Sequence, residues 1–417
     1  MKYRHDYLSR DETLSALGVT AKTLYSYVSR GKIQSIPVPG THRHLYARAD
    51  VDAMVARGRG RVPRAVTAAT SMHWGEPIVA TSITRIDEHG PRYRSHAAVE
   101  LATQGYPFEA IVELLVTGTW NPLAEPWPMI ELPERLHALL HLHAELGPPD
   151  DIGNLMAMCA LALNGHEMPD GPQCAHGDLR RVQRVYHALV GCIGFLSTSR
   201  AYIPRRPNER LAAWALRASG ASTTRSAIEA INALLIVCAD HELTPATLAA
   251  RAAASTSAPL FNSVAAAICT HLGTSVGGAT YVVERRLVAR LSGATHNDHL
   301  DRIRAEGKTL YGFNHPLYPN GDPRAQVLLG LAAKQAHNAS RAKAMARLLA
   351  DANERFQLTP GLALSLVALT QAVGMPGGSA AALWMVARTS GWCAHAIEQR
   401  EQAFMLRPRA TYRPADV

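Results

Sequence analysis

Beyond residue 95 apolar side chains return at every third or fourth position along most of the chain. That period collects them on one face of a helix. It predicts helices over 97–101, 108–117, 132–146, 211–217, 225–239, 246–254 and 259–272. More follow over 282–291, 323–336, 341–356, 360–373 and 379–401. Ahead of them, residues 78–94 alternate and turn at Asp87-Glu88-His89-Gly90, the pattern of a small hairpin. The large C-terminal part therefore reads as almost all-α, without an internal repeat.

The first 57 residues have another rhythm. Ser9-Arg10-Asp11-Glu12 has the spacing of a capping box, with Ser9 as the cap and Glu12 reaching back. The helix it opens buries Leu14 and Leu17, Gly18 ends it, and Val19 turns inward. Thr20 opens a second helix, Ala21 to Arg30, with Leu24 and Val28 on its apolar face. Its other face carries Lys22, Thr23, Ser26, Tyr27 and Arg30. A hairpin-like stretch over 33–46 has Pro37, Pro39 and Gly40 near its turn and Arg43 and His44 on its return. Asp50 is expected to cap a last helix, Val51 to Arg57. This order resembles the winged helix-turn-helix of the MerR and excisionase families. The resemblance implies Lys22, Thr23, Tyr27, Arg30 and the wing residue Arg43 near DNA; a docking domain on the same scaffold is the alternative. The Gly-, Pro- and Arg-containing residues 58–77 read as a linker and 78–417 as the second domain.

Charge sharpens that division. The net charge is +9, and residues 1–65 hold twelve Lys/Arg against five acids, so +7 belongs to the N-terminal stretch. Nucleic-acid phosphates are the matching partner, and a solvated basic surface fits the charge alone equally well. With 47% hydrophobic and 18% charged residues the chain is globular. The start, Met1-Lys2-Tyr3-Arg4-His5-Asp6, is polar and no signal-peptide apolar stretch follows it, and the longest apolar runs fall well short of the ~18–20 residues that span a bilayer. The six cysteines form no Cys-x-x-Cys pair and read as reduced core thiols of a cytoplasmic protein. His137 and His141 lie four apart on one helix but lack a third ligand block, so no metal is expected. Cys174-Ala175-His176 reads as a loop, and Trp120, Trp127 and Trp392 as core or subunit-contact aromatics.

Four blocks carry a more specific signal. Tyr311-Gly312-Phe313-Asn314-His315-Pro316-Leu317-Tyr318, ending at Asp322-Pro323-Arg324, closely matches the citrate synthase signature, although Asn314 stands where the family usually has Gly. Ala239-Asp240-His241-Glu242-Leu243 resembles the family's Asp-His-Glu block, and Gly277-Gly278-Ala279 part of its His-Gly-Gly-Ala-Asn loop. Arg388-Thr389-Ser390-Gly391-Trp392, Ala394-His395, Glu398-Gln399 and Leu406-Arg407-Pro408-Arg409 resemble its C-terminal segment. Together they cover roughly 78–412, and the stretch is identified as a member of that family. The implied fold is mainly α, with all-helical large and small domains behind the winged module.

The resemblance implies chemistry. Citrate synthases join acetyl-CoA to oxaloacetate. A carboxylate removes a proton from the thioester methyl, one histidine holds the developing enol oxygen, and another polarises the ketone. By resemblance His315 is the ketone polariser and His241 a second oxaloacetate contact. Arg324 and Arg388 clamp carboxylates. Arg407 reaches into a neighbouring subunit's site, which implies a homodimer. No bound cofactor is implied; acetyl-CoA or another acyl-CoA is substrate or ligand. The family's loop histidine aligns with Val276, its following Asn with Thr280, and its catalytic Asp with Ala363. Neither Val276 nor Ala363 can move a proton; Tyr281, Ser275, Glu284 and Ser365 are the candidate substitutes, and none has the right position by sequence. Three functions remain: a DNA-binding regulator responsive to oxaloacetate, citrate or acyl-CoA with impaired catalysis; an active citrate or 2-methylcitrate synthase; or an accessory subunit paired with an intact synthase.

Overall fold

The computed structural model describes residues 7–29, 32–38, 44–48, 50–51, 79–146, 151–165, 175–286, 311–335, 339–402 and 404–410. The chain divides into two compact units, Met1–Ala80 and Thr81–Val417.

In the first unit, β1 (Tyr7–Leu8), α1 (Arg10–Leu17), α2 (Ala21–Ser29), β2 (Ser35–Pro37) and β3 (His44–Ala47) enclose a small core. Ser9 Oγ accepts from Glu12 N while Glu12 returns a bond to Ser9 N, so the capping box forms. Gly18 closes α1 in the left-handed conformation at φ 62°. β3 lies between β1 and β2, antiparallel to both. Leu8, Leu24, Ile33, Tyr46 and Val51 form the core. Leu14, Leu17, Val19 and Val28 only lean on it, and Thr13 is the buried residue of α1. Thr13 Oγ1 donates to Ser9 O, which is how a hydroxyl is accommodated there. Asp50 does not stand ahead of the last helix, because Arg48 is already helical. Its Oδ2 accepts from Gln34 N at 2.8 Å and ties that helix to the start of β2. Arg30, Arg43, the turn near Pro39 and the linker over 58–77 lie outside the described residues.

The second unit opens with three antiparallel strands, Thr84–Asp87, Gly90–Tyr93 and His96–Ala97, the first two turning at Glu88-His89. Helices follow at Ala98–Thr103, Phe108–Thr117, Glu134–Leu146, Leu211–Ser219, Arg225–Val237, Pro245–Ala254, Leu260–His271, Ala279–Arg286, Pro323–Ala333, Ala339–Phe356, Leu362–Ala372 and Ser379–Glu401. Two helices were not read from the periodicity, Ile152–Ala162 and Ala175–Leu189, the latter running into a 3₁₀ segment Val190–Leu196. Ile152–Ala162 is apolar on several faces and shows no narrow stripe. Ala175 and His176 open the second helix instead of a loop. Cys269 is exposed, against the expectation of a core thiol, while Cys159, Cys192, Cys238 and Cys393 are buried.

The last helix, Ser379–Glu401, is the axis of this unit. Twenty of its residues are buried, from Ser379 to Gln399. It packs against Phe108–Thr117, Arg225–Val237, Pro245–Ala254, Leu260–His271 and Leu362–Ala372. Its small residues let the chain around Asp240 come close: Ser390 Oγ and Gly391 N both donate to Ala239 O at 3.1 Å. A Cβ on Gly391 would stand 2.1 Å from Asp240 Oδ1 and 2.8 Å from Ala239 O. Gly391→Ala is therefore expected to lower the unfolding free energy by about 2–3 kcal/mol through overpacking. Urea unfolding at pH 7 measures this, and a change below about 0.5 kcal/mol, the range of a neutral surface substitution, refutes it.

Candidate functional site

Two turns and the axial helix bring the signature residues together. Asp322 caps the helix Pro323–Ala333, its Oδ1 accepting from Arg324 N, and Pro323 fills the first helical position. The same carboxylate takes Arg324 Nε at 3.0 Å and Nη2 at 2.7 Å, a bidentate pair that is almost fully buried. Burial would raise the Asp322 carboxyl, but Arg324 outweighs it and holds the carboxyl below its ordinary range.

The turn before it carries His315 and Tyr318. Asn314 sits at φ 54°, which explains how it replaces the family's glycine: Asn is among the few side chains that tolerate this region. Its Oδ1 accepts from Thr359 N and Oγ1, its N donates to Thr359 O, and Gly361 N donates to Gly312 O. These bonds fasten the His315 turn beside the stretch leading to Ala363. His315 Nδ1 accepts from Leu317 N at 3.2 Å, which leaves the proton on Nε2 as a donor. Burial and then Arg324 lower the His315 pKa to about 4, so the ring is neutral at physiological pH. His241 Nε2 shares a 2.8 Å hydrogen bond with Tyr318 Oη, and the His241 ring stands edge-on to His315 at 5.4 Å. Burial, Arg324 and Arg388 push His241 well below its ordinary value. The Arg324 guanidinium lies 5.3 Å from the Tyr318 ring centre.

Arg388 enters from the axial helix and is 3% exposed. Its Nε and Nη1 have no hydrogen-bond partner among the described residues. The neighbouring Asp240 carboxylate is engaged elsewhere: Oδ2 takes His395 Nε2 at 3.1 Å and Glu242 N at 3.1 Å. On its far side, His395 Nδ1 meets Arg251 Nη1 at 2.8 Å, and Arg251 also binds Glu398 and Gln399. Arginine only donates, so Nδ1 accepts and Nε2 carries the proton toward Asp240. Asp240 Oδ1 has no hydrogen-bond partner among the described residues, and its charge acts on Arg388. Thus His241, His315, Arg324 and Arg388 form one electropositive cluster in which Arg388 Nε and Nη1 stay unfilled. Tyr318, Asp322, Asp240 and His395 were quoted in the motifs without a role; the three-residue step from His315 to Tyr318 was the available signal.

Other predicted residues fall elsewhere. Val276 is half-buried and hydrogen-bonds through its backbone, Thr280 Oγ1 donates to Gly277 O, and Ala363 is buried. The possible substitutes are occupied: Tyr281 Oη donates to Asp151, Glu284 accepts from Gly378 N, and Ser365 Oγ donates to Leu362 O. Ser275 and Arg407 are exposed. In the first unit Lys22 is exposed, Thr23 pairs with Thr20, and Tyr27 leans on the small core. Tyr25, 54% exposed on α2, was not among the predicted contacts. A cavity of about 280 Å³ lies elsewhere, lined by Ser82, Arg94, Asp178, Glu398 and Arg400 among others. Among the described residues no helix is long and apolar enough to cross a membrane.

The profile of the citrate synthase C-terminal domain matches residues 72–409. The chain belongs to the citrate synthase family. It is 28% identical over 359 residues to putative citrate synthase 2 of Mycobacterium tuberculosis H37Rv, covering 81% of this chain and 91% of that protein. It is 29% identical over 193 residues to citrate synthase 2 of Bacillus subtilis, covering 45% of this chain but only 52% of that relative. The fold is similar to the Thermotoga maritima citrate synthase, at TM-score 0.68 and 20% identity, covering 82% of this chain and 95% of the other. It is also similar to Thermoplasma acidophilum citrate synthase in its ternary complex with carboxymethyl coenzyme A and oxaloacetate, at TM-score 0.66, 22% identity and the same coverages.

The buried pair at the citrate synthase signature sets a pH dependence. A carboxyl whose folded pKa is depressed adds stability above its unfolded value of about 3.9, and loses it as pH falls through the folded value. Asp322→Asn is expected to cost about 3–5 kcal/mol at pH 7 by leaving Arg324 unpaired. It should also flatten the loss of stability of the wild type below pH 4. Urea unfolding at pH 7 and through the acid limb reads both, and an unchanged acid limb refutes the pairing.

Proposed function

We propose that the second unit binds a C4 2-oxo dicarboxylate of the oxaloacetate type, takes an acyl-CoA beside it, and condenses the two slowly to citrate or 2-methylcitrate. The observation that carries this reading is Arg388, a buried guanidinium with two unpartnered nitrogens among neutral imidazoles. A charge so placed calls for an anion. The dicarboxylate would rest one carboxylate on Arg388 and lie in the field of Arg324. His315, with its proton on Nε2, would donate to the ketone oxygen, and His241, held by Tyr318, would make a second contact. Condensation is favoured by relatives named citrate synthase, one of them matched along 91% of its length. Slowness follows from Val276 and Ala363, which supply neither proton donor nor base. No bound cofactor enters this scheme; acetyl-CoA or propionyl-CoA is a substrate. Arg407 would serve the site of a second copy, in a homodimer.

A second reading is favoured by the loss of both proton-transfer positions together with the +7 of residues 1–65. In it the same ligands are sensed rather than converted, and α2, with Lys22, Thr23 and Tyr27 and the flanking Arg30 and Arg43, lies in a DNA groove. Pairing with an intact synthase, as an accessory subunit, is a variant that co-purification would reveal.

The deciding measurement is CoA release by the purified protein given oxaloacetate with acetyl-CoA or propionyl-CoA. The expected result is slow wild-type turnover, with Val276→His/Ala363→Asp faster by about 10²–10⁴-fold. If the wild type releases no CoA while calorimetry finds oxaloacetate bound, condensation is refuted and the regulator reading stands. Gel shifts with and without these ligands then test it, and affinity no greater than for random DNA sinks it.

A further inference from the structure

The helix Leu260–His271 ends on a residue that the signature blocks do not include. His271 is 2% exposed, and its Nε2 has no hydrogen-bond partner among the described residues. Its ring meets Trp384 edge-on at 4.9 Å and Trp392 at 5.3 Å. Trp384, Arg388 and Trp392 recur every fourth position on the axial helix and so share one face. A ring that touches both tryptophans therefore faces the arginine between them. Burial, and next the Arg388 charge, lower the His271 pKa to about 3. Trp384 Nε1 and Trp392 Nε1 also lack partners, as do Arg388 Nε and Nη1.

The loop above is shaped around this imidazole. A Cβ on Gly277 would stand 2.2 Å from His271 Nε2, and one on Gly278 would stand 2.3 Å from Leu272 O. Val276, where the family's loop histidine is lost, immediately precedes Gly277. Buried polar atoms are normally paired, and leaving several unpaired in one place is costly. An anionic oxygen beside Arg388 would relieve both the guanidinium and the imidazole.

We propose that His271 is a ligand-contacting residue of this site, its Nε2–H donating a hydrogen bond to the carboxylate that Arg388 receives. The ligand class is the small 2-oxo dicarboxylate, and the inference rests on the reading that such a ligand binds at Arg388. The ring stays neutral, so its contribution is a hydrogen bond without a charge and is constant from pH 5.5 to 8. Val276 and Ala363 remove imidazole and carboxylate from the acyl side; His271 adds an imidazole on the oxoacid side.

The test is calorimetric titration of the full chain with oxaloacetate, alongside tryptophan fluorescence, since Trp384 and Trp392 flank the ring. His271→Leu should weaken binding by about 10-fold or more, the usual worth of a hydrogen bond to a charged group. His271→Gln, which keeps an N–H donor, should stay within about 3-fold of wild type on the same scale. The thermal midpoint of the unliganded His271→Leu protein should be unchanged or higher, because a buried unpaired nitrogen is removed. Wild-type affinity in His271→Leu would overturn this inference alone and leave His271 as packing. Equal weakening in both variants, with lowered midpoints, would also overturn it. Absence of wild-type binding would overturn it together with the reading on which it rests.

Discussion

A helix buried on nearly every face must bring its polar side chains into the core already paired, or hold them for a partner that arrives later. Ser379–Glu401 does both. His395, Glu398 and Gln399 meet Arg251 and Asp240 in a hydrogen-bonded network. Arg388, midway along, is left open. The surrounding helices pack against this axis, so their placement and the openness of Arg388 have one origin. Gly391 belongs to the same constraint, since the Asp240 turn can approach only where a side chain is missing.

The candidate site joins a closely held cluster of histidines and arginines to a loop and a turn without ionisable side chains at Val276 and Ala363. In the arginine cluster each histidine is held by a second group: His315 by Leu317 N, and His241 by Tyr318. Low pKa values keep the imidazoles uncharged, so the positive field comes from arginines alone. Arg324 is neutralised by Asp322, and its guanidinium lies against the Tyr318 ring. At the loop and the turn where the family resemblance would place acid and base, Val276 and Ala363 stand instead. Gly361 N still bonds Gly312 O, and Gly277-Gly278 still lets the chain pass closely over the helix end.

Much of this was legible from residue order. The apolar period marks Phe108–Thr117 and Ser379–Glu401 at the bounds the structure gives, because one has a broad apolar face and the other is bounded by Gly378 and a charged end. Ile152–Ala162 escaped because burial on several faces erases the stripe that periodicity detects. Ala175–Leu189 escaped although Val182, Val185, Tyr186 and Leu189 do recur, because three interleaved arginines and an opening Ala-His-Gly read as loop. At the site, the motifs supplied His315, His241, Arg324 and Arg388. They could not supply His271, whose neighbours Trp384 and Trp392 are more than a hundred positions away and meet it only when the helices cross. Partner choice was likewise invisible: Asp50 has the chemistry of a cap, yet bonds Gln34 sixteen residues back.

The fastening of Ser82 has a mechanical consequence. Its N and Oγ both donate to Glu398 Oε1, and Glu398 is held in turn by Arg251. A tension applied to the chain at residues 79–82 is therefore borne by the end of the axial helix before the hairpin at Thr84 is loaded. Ten residues along that helix, about 15 Å at its rise per residue, stands Arg388. The helix is a stiff rod with the traction point at one end and the open guanidinium partway down. Stress entering the unit where its first strand begins is carried along the same element that holds Arg388.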